Sequence, residues 1–211
     1  MKHLLLSTIL LLATLNGVAQ QITSALTVYP DFRPATILLT DGSKLKVPLA
    51  NIFLKNSSLL YMSGELAKEA DLKNVRQVEF DDRTYIRIDS LLAYQVDSVG
   101  RNALYCAKVI DLQSYKQTIA NSANITNLDL SNVNNMLSFS TIDAIGKEGV
   151  EFPVIPLFYF RLDNQFVRVH ERNLKRILSK EQRRIMESVM SLPDFDWTDE
   201  KSLIKLLTLI K

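Results

Sequence analysis

Residues 37–47 run Ile37-Leu38-Leu39-Thr40-Asp41-Gly42-Ser43-Lys44-Leu45-Lys46-Val47, and their reading decides the fold class. An apolar run meets an Asp-Gly step and resumes as an alternation, Lys44 and Lys46 against Leu45 and Val47. Alternation with period two marks a half-buried strand. Asp-Gly favours a two-residue type I′ turn, whose twist suits paired strands. The stretch is therefore expected to be a β-hairpin.

The same pattern repeats outward from it. Ile52–Lys55 and Leu59–Met62 flank Asn56-Ser57-Ser58, and Val75–Phe80 and Thr84–Asp89 flank Asp81-Asp82-Arg83. Leu92–Val96 and Ala103–Ile110 flank a turn around Gly100. Leu157–Leu162 and Gln165–His170 flank Asp163-Asn164, with Phe158, Phe160 and Leu162 on one face and Tyr159 and Arg161 on the other. Pro153 and Pro156, just before that hairpin, predict an edge or an entry loop, because proline cannot donate to a ladder. Short strands at this spacing predict an antiparallel meander, sandwich-like or barrel-like.

After residue 170 the period changes. Asn173–Leu178 predicts a short helix. Ser179 with Gln182 three residues on is a capping box, and Ile185, Met186, Val189 and Met190 supply the apolar stripe that follows. Leu192-Pro193 ends it. Thr198-Asp199-Glu200 predicts another cap, with acids where the helix dipole favours them. Leu203, Leu206, Leu207 and Ile210 then line one face of a last helix. Helices this short need a partner surface. Residues 171–211 are therefore expected to pack as a C-terminal helical pair on a β-rich body spanning 20–170, an α+β arrangement. Within that body, 111–150 is expected to be irregular or a long loop. It is crowded with Asn121, Asn124, Asn127, Asn132, Asn134 and Asn135, which compete with the backbone ladder.

Residues 1–19 read as a signal peptide. Lys2 gives a positive start, and Leu4–Leu15 is largely apolar. Such a run fits a secretory h-region of about 7–15 residues and falls short of the roughly 17–25 that span a bilayer. Gly17-Val18-Ala19 offers small residues at the cut. No later run is apolar enough to form a transmembrane helix. The expected location is outside the inner membrane: periplasmic, outer-membrane-associated or extracellular.

Much chemistry drops out at this point. Of the two histidines, His3 leaves with the signal, and His170 alone cannot build a multi-histidine metal site. No Gly-x-Ser-x-Gly elbow accompanies it, and no glycine-rich phosphate loop occurs. Cys106 is the one cysteine, so no intrachain disulfide forms, and its strand-like setting predicts a buried small hydrophobe. A formal net charge of +2 gives no basis for a nucleic-acid partner. Asp81-Asp82 falls in a turn, where Asp is favoured for local hydrogen bonding. Asp194, Asp196, Asp199 and Glu200 are dense enough to raise calcium, yet lack the glycine and terminal spacing of an EF-hand. No catalytic residue, cofactor or metal ligand is assigned. The strongest surface feature is basic: Arg168, Arg172, Lys175, Arg176, Lys180, Arg183 and Arg184 stand against only Glu171 and Glu181. They form the expected contact surface for an envelope protein or an anionic lipid surface. Aromatic residues are not interleaved with them, which argues against single-stranded nucleic acid.

Two resemblances add to this reading. Leu39-Thr40-Asp41-Gly42-Ser43-Lys44-Leu45, Asn173-Leu174-Lys175-Arg176-Ile177-Leu178 and Asp199 to Leu207, behind the leader-like start, resemble uncharacterised secreted envelope proteins of Bacteroidota. That resemblance implies a β-rich body with a short helical tail, and no activity. Residues 35–80 are similar to an Sm-like or SH3-like small barrel. They share a hydrophobic strand, an Asp-Gly turn, two further arms and a closing Leu72-Lys73-Asn74-Val75-Arg76-Gln77-Val78-Glu79-Phe80. The departure is Val47-Pro48, where those barrels favour a glycine. Fold likeness does not fix function.

The expected function is therefore that of an exported envelope protein which binds or scaffolds without catalysis. The alternatives are a carboxylate-based periplasmic hydrolase of glycoside type, which needs only two acids, and a calcium-stabilised adhesion module.

Overall fold

The computed structural model describes residues 21–121, apart from Ser24, and residues 151–210. The signal peptide expected over 1–19 lies outside the described residues, as does most of 111–150. The strands are β1 (Gln21–Thr23), β2 (Arg33–Leu39), β3 (Lys44–Phe53), β4 (Ser58–Ser63), β5 (Leu66–Glu69), β6 (Val75–Glu79), β7 (Thr84–Ile88), β8 (Leu91–Val99), β9 (Asn102–Ile110), β10 (Phe152–Leu162) and β11 (Gln165–Arg168). The helices are α1 (Leu112–Asn121), α2 (Glu171–Ile177), α3 (Lys180–Met190) and α4 (Glu200–Leu209), with a 3-10 turn at Leu72–Asn74.

All strands join one open antiparallel sheet in the order β1-β10-β9-β8-β7-β6-β2-β3-β4-β5, and β11 flanks β10. The expected α+β meander with C-terminal helices is what forms. Of the sandwich-like and barrel-like forms, the first half of the sheet approaches the barrel, by curling. The curl starts at a β-bulge: Arg33 lies opposite Ala50, but Ala35 lies opposite Val47. Pro34 and Pro48 sit at that irregularity, where a missing N–H costs no ladder bond. Because the bulge bends rather than ends the strand, the separate runs expected at 43–47 and 52–55 are one strand, β3. Leu45 keeps the parity of Val47 yet is 52% exposed, since it lies past the edge of the core.

The curl brings distant residues together. The β3–β4 turn reaches β8, where Ser57 C=O accepts the Leu92 N–H at 2.8 Å and Ser57 Oγ donates to Leu92 C=O at 2.7 Å. Residues 26–31 run along β3 and are pinned by Asn51, which is fully buried. Its Oδ1 accepts from the N–H groups of Tyr29 and Ile52, and its Nδ2 donates to the carbonyls of Tyr29 and Asp31. All four side-chain valences are satisfied, as a buried amide requires. Inside the curl pack Ile37, Ile52, Leu59, Val78, Tyr85 and Leu92.

The inner face of the curl continues along β8, β9 and β10, where it is covered by helices instead. Phe158, Phe160, Leu104 and Cys106 meet Leu174, Met186, Val189, Leu203, Leu206 and Leu207 there. Tyr94 packs against both clusters and marks the junction. The opposite face carries Ala93, Tyr105, Ala107 and Tyr159. Phe158 and Phe160 thus part from Tyr159 as the alternation predicts.

Three local expectations are corrected. The Asp41-Gly42 turn is not type I′: only Gly42 has positive φ (88°), and Gly42 N–H bonds Leu39 C=O. This is a type I turn followed by a left-handed glycine, the three-residue solution. It is held by Asp41 Oδ1, which accepts from Ser43 N–H and Oγ–H. Pro153 and Pro156 lie inside β10 rather than before it. Pro153 C=O faces β9, accepting Asp111 N–H. Alternation then turns the Pro156 nitrogen to the other side, into the interval between Val154, the last β10 residue paired with β1, and Tyr159, the first paired with β11. Finally, 112–121 is helical rather than irregular. Asp111 caps it through the N–H groups of Gln113 and Ser114, and Leu112 and Tyr115 pack on Phe152 and its neighbours.

Candidate functional site

The basic surface is built by two short helices whose apolar sides are spent on the sheet. His170 caps α2, its Nδ1 accepting the Arg172 N–H at 3.2 Å, and Asn173 Nδ2 ties the helix to Arg168 C=O. Leu174 and Leu178 are buried. With 3.6 residues per turn, Arg172 and Arg176 then share the outward side. The expected capping box is present at Ser179 and Gln182, and its cap Ser179 directly follows Leu178 and starts α3 at Lys180. Met186 and Val189 face inward, which turns Lys180, Arg183 and Arg184 outward.

Five of the seven residues are exposed on the two helices: Arg172, Arg176, Lys180, Arg183 and Arg184. Arg183 is partly engaged, its Nε donating to Leu178 C=O at 2.9 Å. Lys175 is on the surface but compensated. Its Nζ lies 2.6 Å from Glu171 and 3.5 Å from Glu187, so it bridges α2 to α3. The Glu171 hydrogen bond holds its ammonium above the ordinary lysine range. Arg168 parts from the rest. It pairs with Tyr159 across the β10–β11 ladder, and Val167 packs under the helices, so alternation points Arg168 to the opposite face. The remaining five have no carboxylate within 4.0 Å among the described residues.

The carboxylates have local duties. Asp196 Oδ1 accepts from Thr198 N–H and Oγ–H. Asp199 caps α4 through Ser202 N–H at 2.7 Å, a bond that holds its carboxyl below the usual range. Among the described residues no three His, Cys, Asp or Glu side chains are grouped to hold a metal ion. Asp81 and Asp82 lie 3.0 and 3.4 Å from the Arg33 guanidinium, and Asp82 also accepts from Tyr29 Oη. Arg33 itself stacks 4.1 Å from the Tyr29 ring. Cys106 is fully buried beneath the helices, and burial pushes its thiol up to about 11. That is the inert setting for a cysteine. No helix among the described residues is long and apolar enough to cross a membrane.

Two clefts were not legible in the sequence. One, about 620 Å³, lies between the 3-10 turn and the β7–β8 turn and includes Ser58, Glu69, Asp71, Arg87 and Asp89. Arg87 is held there by the carbonyls of Leu72 and Lys73. The other is formed by Arg101, Arg161, Asp163 and Asn164. Both depend on pairings between turns far apart in the chain, for which no local motif exists.

No family model matches the chain, and no curated protein or solved structure matches it significantly.

Proposed function

We propose that this is an exported, non-catalytic binding or scaffolding protein of the bacterial envelope, which meets an anionic partner through the outward side of α2 and α3. The observation that carries the reading is the division of labour on those helices. Their apolar stripes are used up against the sheet, and their arginines are left exposed with little internal compensation. Such a surface attracts acidic protein or anionic lipid and weakens with salt. Ile177, 38% exposed at the end of α2, adds an apolar contact beside Arg176. The leader-like residues 1–19 and the likeness to envelope proteins support the compartment. The structural partners of Asp81, Asp82, Asp196 and Asp199 favour binding over a carboxylate hydrolase or a calcium module. What supports the small-barrel likeness of residues 35–80 is the order of elements there: four antiparallel strands, a 3-10 turn, and a fifth strand, β6, returning to β2.

The test is co-sedimentation with phosphatidylglycerol vesicles and capture from native envelope, each at low and high salt. The triple variant Arg172→Gln, Arg176→Gln, Arg184→Gln spares Lys175 and Arg183, which have structural bonds. Salt-sensitive association with either partner that drops at least tenfold in the variant is expected. Association equal in both proteins removes this surface from the reading.

A further inference from the structure

We propose that a cleft on the sheet face opposite the helices binds a single phosphate group. The cleft, about 380 Å³, is lined by Arg101, Arg161, Asp163 and Asn164. Arg101 stands in the turn between β8 and β9, beside Gly100 at φ 62°. Asp163 and Asn164 make the β10–β11 turn, both in the left-handed region that a type I′ turn demands. The two turns are joined, because Asp163 N–H donates to Asn102 Oδ1 at 3.4 Å.

Arg161 is placed by its neighbours. Its guanidinium lies 5.7 Å from the Tyr105 ring centroid, and one Nη donates to Tyr105 Oη at 3.1 Å. Tyr105 Oη in turn donates to Gln95 Oε1 at 3.2 Å. This leaves the charge unanswered. Arg161 Nε is buried and has no hydrogen-bond partner, and no carboxylate lies within 4.0 Å of the guanidinium among the described residues. A half-buried cation without a counter-charge is costly, and a bound anion removes the cost.

The lining selects the anion. The Arg101 guanidinium, the Arg161 Nη not bonded to Tyr105 and the Asn164 amide bring donors to the cleft. A tetrahedral oxyanion presents its acceptor oxygens out of any one plane, whereas a carboxylate's acceptor sites are coplanar. Asp163 at the rim leaves the cleft one net positive charge, which suits a single phosphate and disfavours polyphosphates. The site is independent of the basic stripe on α2 and α3, since Arg161 shares the face of Tyr105 and Tyr159.

Inorganic phosphate is the first probe, titrated into the purified protein at constant ionic strength while nitrogen-15 spectra follow the arginine Nε–H signals. A saturable shift of Arg161 Nε–H and of the Asn164 side-chain amide is expected. Arg101→Gln, at an exposed turn position, weakens binding at least about tenfold without lowering the melting temperature. Asn164→Asp, tolerated in left-handed backbone, abolishes it by adding a like charge. Glycerol phosphate and phosphatidylglycerol vesicles then separate the sources. Binding of the free ester alone assigns a soluble ligand, Arg101-dependent retention on vesicles assigns a headgroup, and either upholds the site. No saturable shift, or a shift that both variants leave unchanged, overturns it.

Discussion

One sheet face is buried twice in this molecule, by different means. Along β2, β3, β4, β6 and β7 it closes on itself, and the closure is fastened by polar groups: Asn51 inside, Ser57 at the rim. Along β8, β9 and β10 it stays open and is covered by α2, α3 and α4, with an apolar contact centred on Phe160. Curling needs directional bonds, because a bent sheet must be held at a particular curvature. Covering needs only area and shape. The first half should therefore be most sensitive to lost hydrogen bonds and the second to lost volume.

The largest expected effect tests the covered half. Phe160→Ala removes a fully buried ring from under the helices and should destabilise by about 3–5 kcal/mol in denaturant melts. Asn51→Ala tests the curled half. It strips partners from four backbone groups and should cost about 3 kcal/mol, far beyond its lost volume; a loss below 1 kcal/mol would erase the contrast between the halves. Ser57→Ala leaves the Leu92 carbonyl short of one donor and should cost about 1–2 kcal/mol. Cys106 sharpens these comparisons, since it lies under the helices only. If thiol labelling accelerates in Phe160→Ala but not in Asn51→Ala at matched stability, the halves open separately. Equal acceleration means that they open as one unit.

The smallest effect concerns acid. The folded-state value of Asp199 is depressed by its bond from Ser202 N–H. Its contribution is present at neutral pH and is lost as pH falls below the unfolded value, near 3.9, through the folded one. Asp199→Asn keeps an acceptor for the cap but cannot titrate. Its melting temperature should fall less between pH 5 and pH 3 than that of the parent. Asp199→Ala, which removes the cap, should lose about 1 kcal/mol at neutral pH.

The parts of this architecture legible in sequence are those specified within a few residues. Alternation in Leu157–Leu162 assigned the faces of β10, and Ser179 with Gln182 announced α3. The β2–β6 pairing, the bulge at Pro34 and Pro48, and the role of Asn51 were not legible, because each is defined by a partner about 12 to 43 residues away. Asn51 in a sequence is only a polar residue between Ala50 and Ile52. The basic stripe was visible as composition, but its membership was not: strand parity removed Arg168, and Glu187 across the helix pair compensated Lys175. The Arg161 cleft had no local signature, since an arginine in a strand ordinarily reads as solvated.

The Ser57–Leu92 fastening also bears on how quickly the chain reaches this state. Most ladders here join strands that are adjacent in sequence, and hairpins of that kind form in about 1–10 μs. The fastening instead closes a loop of 35 residues, and its ends meet only after β6, β7 and the bent β3 are in place. Loop-closure entropy must be met before such a contact rewards it. The last hydrogen bonds of the curl, rather than the hairpins themselves, are then the late events, and Ser57→Ala should speed unfolding while leaving the refolding rate almost unchanged.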